Sequence, residues 1–347
     1  MGSLRDVAKR ANVAVSTASA ALNGTRPVAA ETKRRVKAAA AELGYRPNVL
    51  ARGLVSKRTR ILALHYPAPA SGFGLTEMQF ATGAAAAASE LGYHLLLSPE
   101  NADPLEELRY LTGTGLLDGV LLMEVRLDDE RVALLTGENV PFALIGRTRH
   151  PDELWFADID FARLGTDVVE HLTGLGHRAM AFINHTRDAY TGEYGPVVRI
   201  GEEIAAAAKE AGMSYADGFD ADTAEQGRAA FDELMRTHPE TTAVAVFSDQ
   251  AVVGVLAAVE GQKKRVPDDL TVLMVLTSAQ VAAMFRPRLT TLEPPSLELG
   301  RRGAQMLIEQ LADDTAGPPP GGELVPCRLV VGDSSAAPRT DPKEVGA

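Results

Sequence analysis

From residue 60 onward, short apolar runs alternate with helical patterns, and this alternation restricts the fold more than any other feature of the chain. ILALHY, YHLLLSP, GVLLMEV, FALIG, AMAFIN, AVAVFS and TVLMVL are short and almost continuously apolar. Such runs read as strands buried on both faces, the pattern of a parallel sheet. Between them stand TEMQFATGAAAAASELG, DVVEHLTGLG, GEEIAAAAKEAG and GVLAAVEGQK, which read as helices. Strand–helix alternation at this spacing predicts a doubly wound α/β fold. With 46% apolar residues in a chain of 347, there is core enough for two or three domains.

The first sixty residues are of another kind. They hold 13 Lys and Arg against 3 Asp and Glu, a net of +10, while the remaining 287 hold 22 against 43, a net of −21. A basic segment on an acidic body points to nucleic acid, despite an overall net charge of −11. Three short helices are predicted here. Ser3 is a plausible N-cap for 4–11; a break at 12–14 precedes 15–22; and a third helix within AAETKRRVKAAAAELG is stopped by Gly44. Two helices joined by a three-residue turn and braced by a third form a helix-turn-helix. A small helical bundle with no DNA role is the alternative, and the charge excess disfavours it. In the following YRPNVLARGLVSKRTR, Asn48 can cap one or two helical turns carrying Leu50 and Leu54. So short a helix is marginal alone and is expected to order on DNA.

The stretch LRDVAKRANV–VSTASAALNG–RPV–ETKRRV–AELGYRPNVLARGL resembles the headpiece of the lactose-repressor (LacI/GalR) family of bacterial transcription regulators, without a gap from Leu4 to Leu54. A weaker collinear likeness continues through DGVLL, LGHRAMAFI, RVPDDLTVL and LTTLEPPSLELGRRGAQML. The resemblance implies that Val15, Ser16 and Ala20 read bases and that Thr17, Ser19 and Asn23 touch the DNA backbone. It also implies that Asn48, Ala51 and Leu54 belong to a minor-groove hinge, with Leu54 the intercalating wedge. The family often has Arg where Ala20 stands, so a bidentate guanine contact worth roughly 1–3 kcal/mol is missing. Two capping serines common in the family are Ala14 and Ala29 here, at about 1 kcal/mol each. Direct readout should therefore be blunt, with DNA shape carrying more of the specificity.

For the body, the resemblance implies two lobes like those of periplasmic sugar-binding proteins, with an effector between them at the carboxyl ends of the strands. The expected plan is a headpiece over 1–46, a hinge over 47–59, a body over 60–337 and a flexible tail over 338–347. The N-lobe would comprise 60–159 and 289–317, and the C-lobe 160–287 and 322–337. The three crossings would then fall near Asp160, Arg288 and 317–322. The resemblance places Asp249, Arg199, Asp160, Phe161, Leu276 and Phe73 about the effector. Leu276 stands where the family commonly has a sugar-binding aspartate, and Phe161 where Asn is usual. Paired sugar hydroxyls lose partners by such replacements. Either the effector is less polar than a free sugar, or absent, or these residues merely repack the cleft wall.

The expected protein is a cytoplasmic, nucleoid-associated, homodimeric regulator, a repressor of a near-palindromic operator under small-molecule control. A small-molecule binding protein with a vestigial DNA-binding arm is the alternative. An enzyme is not expected, since no nucleophile–base pair is recognisable, and neither a cofactor nor a metal is implied. No run of about eighteen uncharged apolar residues suggests a membrane span, and the amino-terminal stretch has no apolar h-region. GTGLLDG reads as a helix end turning into a strand, His177 as shaping such a turn, and Cys327 as a half-buried strand residue.

Overall fold

The computed structural model describes residues 2–23, 26–45, 58–67, 74–100, 103–219, 221–312, 317 and 322–339. The chain divides into two compact units, Met1–Arg60 and Ile61–Ala347.

The first unit holds α1 (Leu4–Arg10), α2 (Val15–Asn23) and α3 (Ala30–Glu42). A capping box starts α1. The Ser3 hydroxyl accepts the Asp6 N–H at 3.3 Å, and the Asp6 carboxylate accepts the Ser3 N–H at 2.8 Å. These bonds hold the Asp6 carboxyl below its usual range. By contrast, α3 begins at Ala29 with no side-chain cap. Its place is fixed by packing: Val36, Ala39 and Ala40 meet Val7, Ala8, Ala18 and Ala21 in one small core. Arg35 Nη2 adds a bond to the Ala11 carbonyl at 3.0 Å. Beyond α3, Gly44 turns the chain with φ of +60°, a conformation that a Cβ would oppose.

The second unit contains two six-stranded sheets. The first is built from β1 (Ile61–Tyr66), β2 (His94–Pro99), β3 (Gly119–Met123), β4 (Phe142–Ile145), β5 (Phe156–Ile159) and β11 (Glu323–Val325). Its order is β11-β5-β4-β3-β1-β2, with every pairing parallel. The second contains β6 (Ala179–Ile183), β7 (Ser214–Gly218), β8 (Ala243–Val246), β9 (Thr271–Val275), β10 (Thr290–Glu293) and β12 (Arg328–Val330). Its order is β12-β10-β9-β8-β6-β7, parallel except where β12 runs against β10. The inner strands are buried along their whole length, as uniformly apolar sequences require.

The chain crosses between lobes three times, but two crossings differ from the expected places. The first follows β5 at Asp160, the next lies at Pro294–Pro295 after β10, and the last at Pro326–Cys327 between β11 and β12. Arg288 is not a crossing, because β10 pairs with β9 and keeps residues 290–293 in the C-lobe. The 317–322 stretch is not one either, because β11 pairs with β5 in the N-lobe. Cys327 accordingly sits in a crossing, only 7% exposed, and burial pushes its thiol up. His177 is buried and bonds Thr242, Thr271 and the Ala336 carbonyl, so it fastens the segment beyond β12 to β9 as well as ending a helix.

Helices cover both sheets. In the N-lobe, α4 (Leu75–Glu90) crosses the long carboxy-terminal helix of residues 296–312, while α5 (Pro104–Gly113) and α6 (Glu130–Gly137) complete the lobe. The C-lobe carries α7 (Phe161–Gly174), α8 (Arg187–Thr191), α9 (Gly195–Glu210), α10 (Ala224–Thr237), α11 (Ala251–Gly261) and α12 (Ala279–Ala282). The carboxy-terminal helix is α13 (Ser296–Ala312). Glycines permit its close crossing with α4. A Cβ on Gly83 would overlap the Leu297 carbonyl, and one on Gly300 would overlap that of Phe80. Gly227 and Gly254 serve α10 and α11 in the same reciprocal way. Among the described residues, no helix is long and apolar enough to cross a membrane.

Candidate functional site

Two sites must be built separately, one in each unit. In the first, α2 turns Ala18 and Ala21 into the core and leaves Val15 and Ser16 exposed, Val15 at 43%. An apolar side chain held in water beside a hydroxyl can meet a thymine methyl and a base edge. Thr17 accepts a bond from Arg26 Nη2 at 3.3 Å, which ties the second helix to the segment after it. Ser19 is half-buried. Ala20, expected among the base readers, is only 3% exposed, so its methyl is covered and the exposed pair is Val15 and Ser16. The Asn23 side chain and the hinge residues Asn48, Ala51 and Leu54 lie outside the described residues.

In the second unit, both lobes close on a cavity of about 100 Å³ at the carboxyl ends of the strands. The N-lobe lines it with Thr76, Glu77 and Phe80 of α4, Glu124 beyond β3, Gly146 beyond β4 and Asp158 of β5. From the C-lobe come Tyr194 and Pro196 around the start of α9, Phe247 beyond β8 and Leu276 beyond β9. Glu77, Glu124, Tyr194, Phe247 and Leu276 also line a wider, more open space of about 720 Å³, bordered by Arg126, His185, Asp188, Asp222 and Asp249. Glu124 and Leu276 adopt left-handed backbone, with φ of +53° and +59°. L-residues hold that conformation at a cost, and such strain concentrates at ligand sites.

Acid dominates this cavity. Burial, reinforced by the neighbouring Glu77, pushes the Glu124 carboxyl up to about 7. Glu77 is itself raised, chiefly by burial and also by Asp249. Asp158 rises to about 6 through burial, even though Arg147 lies 3.1 Å away and Arg199 3.9 Å away. Asp249 is raised by burial and accepts the Thr277 hydroxyl at 2.5 Å. Burial and the nearby carboxylates of Glu124, Glu77 and Asp158 push the Tyr194 phenol well up. Below them, buried Arg131 donates to Asp129 at 2.8 Å, to Glu100 at 2.8 Å and to the Met123 and Glu124 carbonyls, which pins the strained turn. His65, buried beside Ser98, is held down to about 4 by burial and Arg131, and so is neutral.

Of the expected effector residues, Asp249 and Leu276 line these spaces. Three do not. Phe161 is 1% exposed in the core, Asp160 caps α7 through the Arg163 N–H at 2.9 Å, and Arg199 bonds the Thr148 carbonyl at 3.0 Å. Phe73 lies outside the described residues. Glu77, Glu124, Tyr194 and Phe247 were not expected. Glu124 carried a signal, since a lone carboxylate ends the apolar run GVLLMEV where strand ends meet ligands. The cleft is therefore less apolar than Leu276 and Phe161 alone suggested.

A helix-turn-helix unit and a two-lobed body with a cavity at its strand ends define a DNA-binding regulatory protein with a ligand-binding body. Residues 3–48 match the bacterial regulatory proteins of the lacI family, and residues 169–335 match the periplasmic binding protein-like domain. Catabolite control protein A of Priestia megaterium is 26% identical over 315 residues, covering 89% of this chain and 92% of that protein. The same protein of Staphylococcus xylosus is 25% identical, covering 90% and 94%. Among solved structures, the transcriptional regulator CelR–cellobiose complex superposes with a TM-score of 0.71 at 27% identity, covering 96% of this chain and 100% of that one. The lac repressor dimer bound to operator and the anti-inducer ONPF gives 0.79 at 22% identity, covering 97% and 99%, and shares the fold. The chain belongs to the lacI family of transcriptional regulators.

Proposed function

We propose that this regulator is a repressor that binds a near-palindromic operator as a homodimer, under control of a small molecule held in the inter-lobe cavity. The observation that carries the reading is the cavity itself: both lobes line it, so a ligand there favours one lobe angle over another. That the similar regulator CelR was solved as a complex with cellobiose supports a small organic effector. Coupling to DNA would pass through residues 46–57, between the headpiece core and β1. A regulator of this kind works in the cytoplasm, on the nucleoid. Val15 and Ser16 would read each half-site, with shape and phosphate contacts adding the rest.

Selection of bound duplexes from a random pool at near-physiological salt tests the reading. A two-fold symmetric consensus is expected, with binding that weakens steeply as salt rises. Enrichment of no sequence would leave either a regulator that needs a corepressor on DNA or a small-molecule binding protein with a vestigial arm.

The dimer has a candidate seam. Edge strand β2 exposes Leu96 at 39% and Leu97 at 41%, unusual for an edge that water must cover. Leu97→Asp is expected to yield monomers in sedimentation and to weaken operator binding at least about tenfold, since one headpiece forfeits half the site. A dimer that survives this change moves the seam elsewhere.

A further inference from the structure

We propose that the cavity takes a cationic organic ligand, whose protonated nitrogen sits at Glu77 and Glu124 and whose carbon frame lies against Phe80, Phe247 and Tyr194. The inference rests on the cavity being the effector site, and it names the class of effector.

The donor and acceptor inventory of the lining carries the argument. Among the described residues around the inner cavity, the side chains with hydrogen-bonding groups are Thr76, Glu77, Glu124, Asp158 and Tyr194. No Lys, Arg, His, Asn or Gln is among them. Thr76 already accepts the Ser278 N–H at 3.1 Å. A neutral polyol needs donors for its hydroxyl oxygens as well as acceptors for its hydrogens, and this lining offers few donors. An ammonium or amidinium group donates only and matches it.

Charge points the same way. The nearby guanidinium groups are committed: Arg147 and Arg199 to Asp158, and Arg131 to Asp129, Glu100 and main-chain carbonyls. None of these bonds reaches the carboxylate of Glu77 or Glu124. In the outer space His185 pairs with Asp222 at 3.1 Å, and exposed Arg126 lines the same wide space as Asp188, Asp249 and the two glutamates without an ion pair to them. Residues 68–73 carry no charged side chain. Backbone at Gly74 and Glu77, at the start of α4, partly offsets the rise that burial imposes on the Glu77 carboxyl. Two largely buried carboxyls lining one cavity are costly when ionised together, and a cation arriving beside them relieves that cost. Phe80, Phe247 and Tyr194 add aromatic faces that attract the same charge.

Matched pairs isolate the charge: putrescine beside 1,4-butanediol, cyclohexylamine beside cyclohexanol, and glucamine beside sorbitol. Each is titrated calorimetrically into the full-length protein at constant ionic strength. At least one amine is expected to bind at pH 8 with its neutral partner silent. Its affinity should fall about tenfold at pH 6, because Glu124, at about 7, must give up its proton for the cation. Glu124→Gln and, separately, Glu77→Gln should weaken that amine at least about tenfold. Neutral partners binding as tightly as the amines would overturn the charge assignment while keeping the cavity as the effector site. Amine binding unaffected by both variants would place the cation elsewhere and overturn it too, as would silence from every amine. Amine binding that leaves operator affinity unchanged would keep the charge assignment and remove the effector role.

Discussion

Gly300→Val is expected to unfold the N-terminal lobe and so abolish ligand binding in the cavity. The backbone of α4 at Phe80 lies against Gly300, and the backbone of α13 at Leu297 lies against Gly83. A side chain at either position meets a carbonyl, which cannot swing aside as a flexible side-chain tip can. The two helices must then part, and the loss spreads into Ala84, Ala87, Leu299 and Ala304 between them. Overpacking costs typically about 1–3 kcal/mol where side chains yield; here, with main chain in the way, about 4 kcal/mol or more is expected. Helix propensity opposes this by only about 0.5 kcal/mol, since glycine is a poor helix former and valine a middling one. Gly137→Ala, where a Cβ meets nothing within 4 Å, is the control and should shift stability little. Urea unfolding of the three proteins side by side decides the matter, and a Gly300→Val midpoint near that of the parent would rule out the close crossing.

The second large effect is expected in the headpiece. Val36 is fully buried at the centre of a core made mostly of alanines, so few neighbours could shift to relieve a charge there. Val36→Asp places a carboxylate among Val7, Ala8 and Ala18, and burial of an unpaired charge costs several kcal/mol. A unit this small has no such reserve. Operator binding should fall at least about 100-fold in a mobility-shift titration. The main calorimetric transition of the body, which belongs to a separate compact unit, should stay in place. Retained operator affinity would show that the headpiece core tolerates charge and that its packing does not hold α2.

Much of this architecture was legible in the sequence because local rules decide it. Ser3 marks an N-cap, which the structure completes with Asp6 as a capping box, and Gly44 marks a stop by its handedness. All seven apolar runs became strands, six of them buried along most of their length, while the seventh, YHLLLSP, became edge strand β2 with Leu96 and Leu97 exposed. What stayed illegible were choices made by distant parts of the chain. Nothing within TTLE or ELV says which sheet it joins, and both β10 and β11 were assigned to the wrong lobe. Phe161 stands beside Asp160 at a crossing and reads as a cleft residue, yet the helix turns it into the core. Glu77 and Glu124 lie far apart in sequence and are brought to one cavity only by the packing of α4 against β2 and against α13, which itself lies on β3. The small side chains of α2 were plain in the sequence; the burial of Ala20 was not, since a helix built mostly of small Ala, Ser and Thr residues gives no strong apolar face to read.

The interleaved crossings also set an order for synthesis. A ribosome releases the headpiece as one uninterrupted stretch, so its core can close early. Neither lobe has that freedom. The N-lobe sheet waits for β11, at residues 323–325, and the C-lobe sheet for β12, at residues 328–330. A nascent chain therefore has a folded DNA-reading head long before it has a finished ligand-binding body, and the eight residues 323–330 complete both lobes almost together.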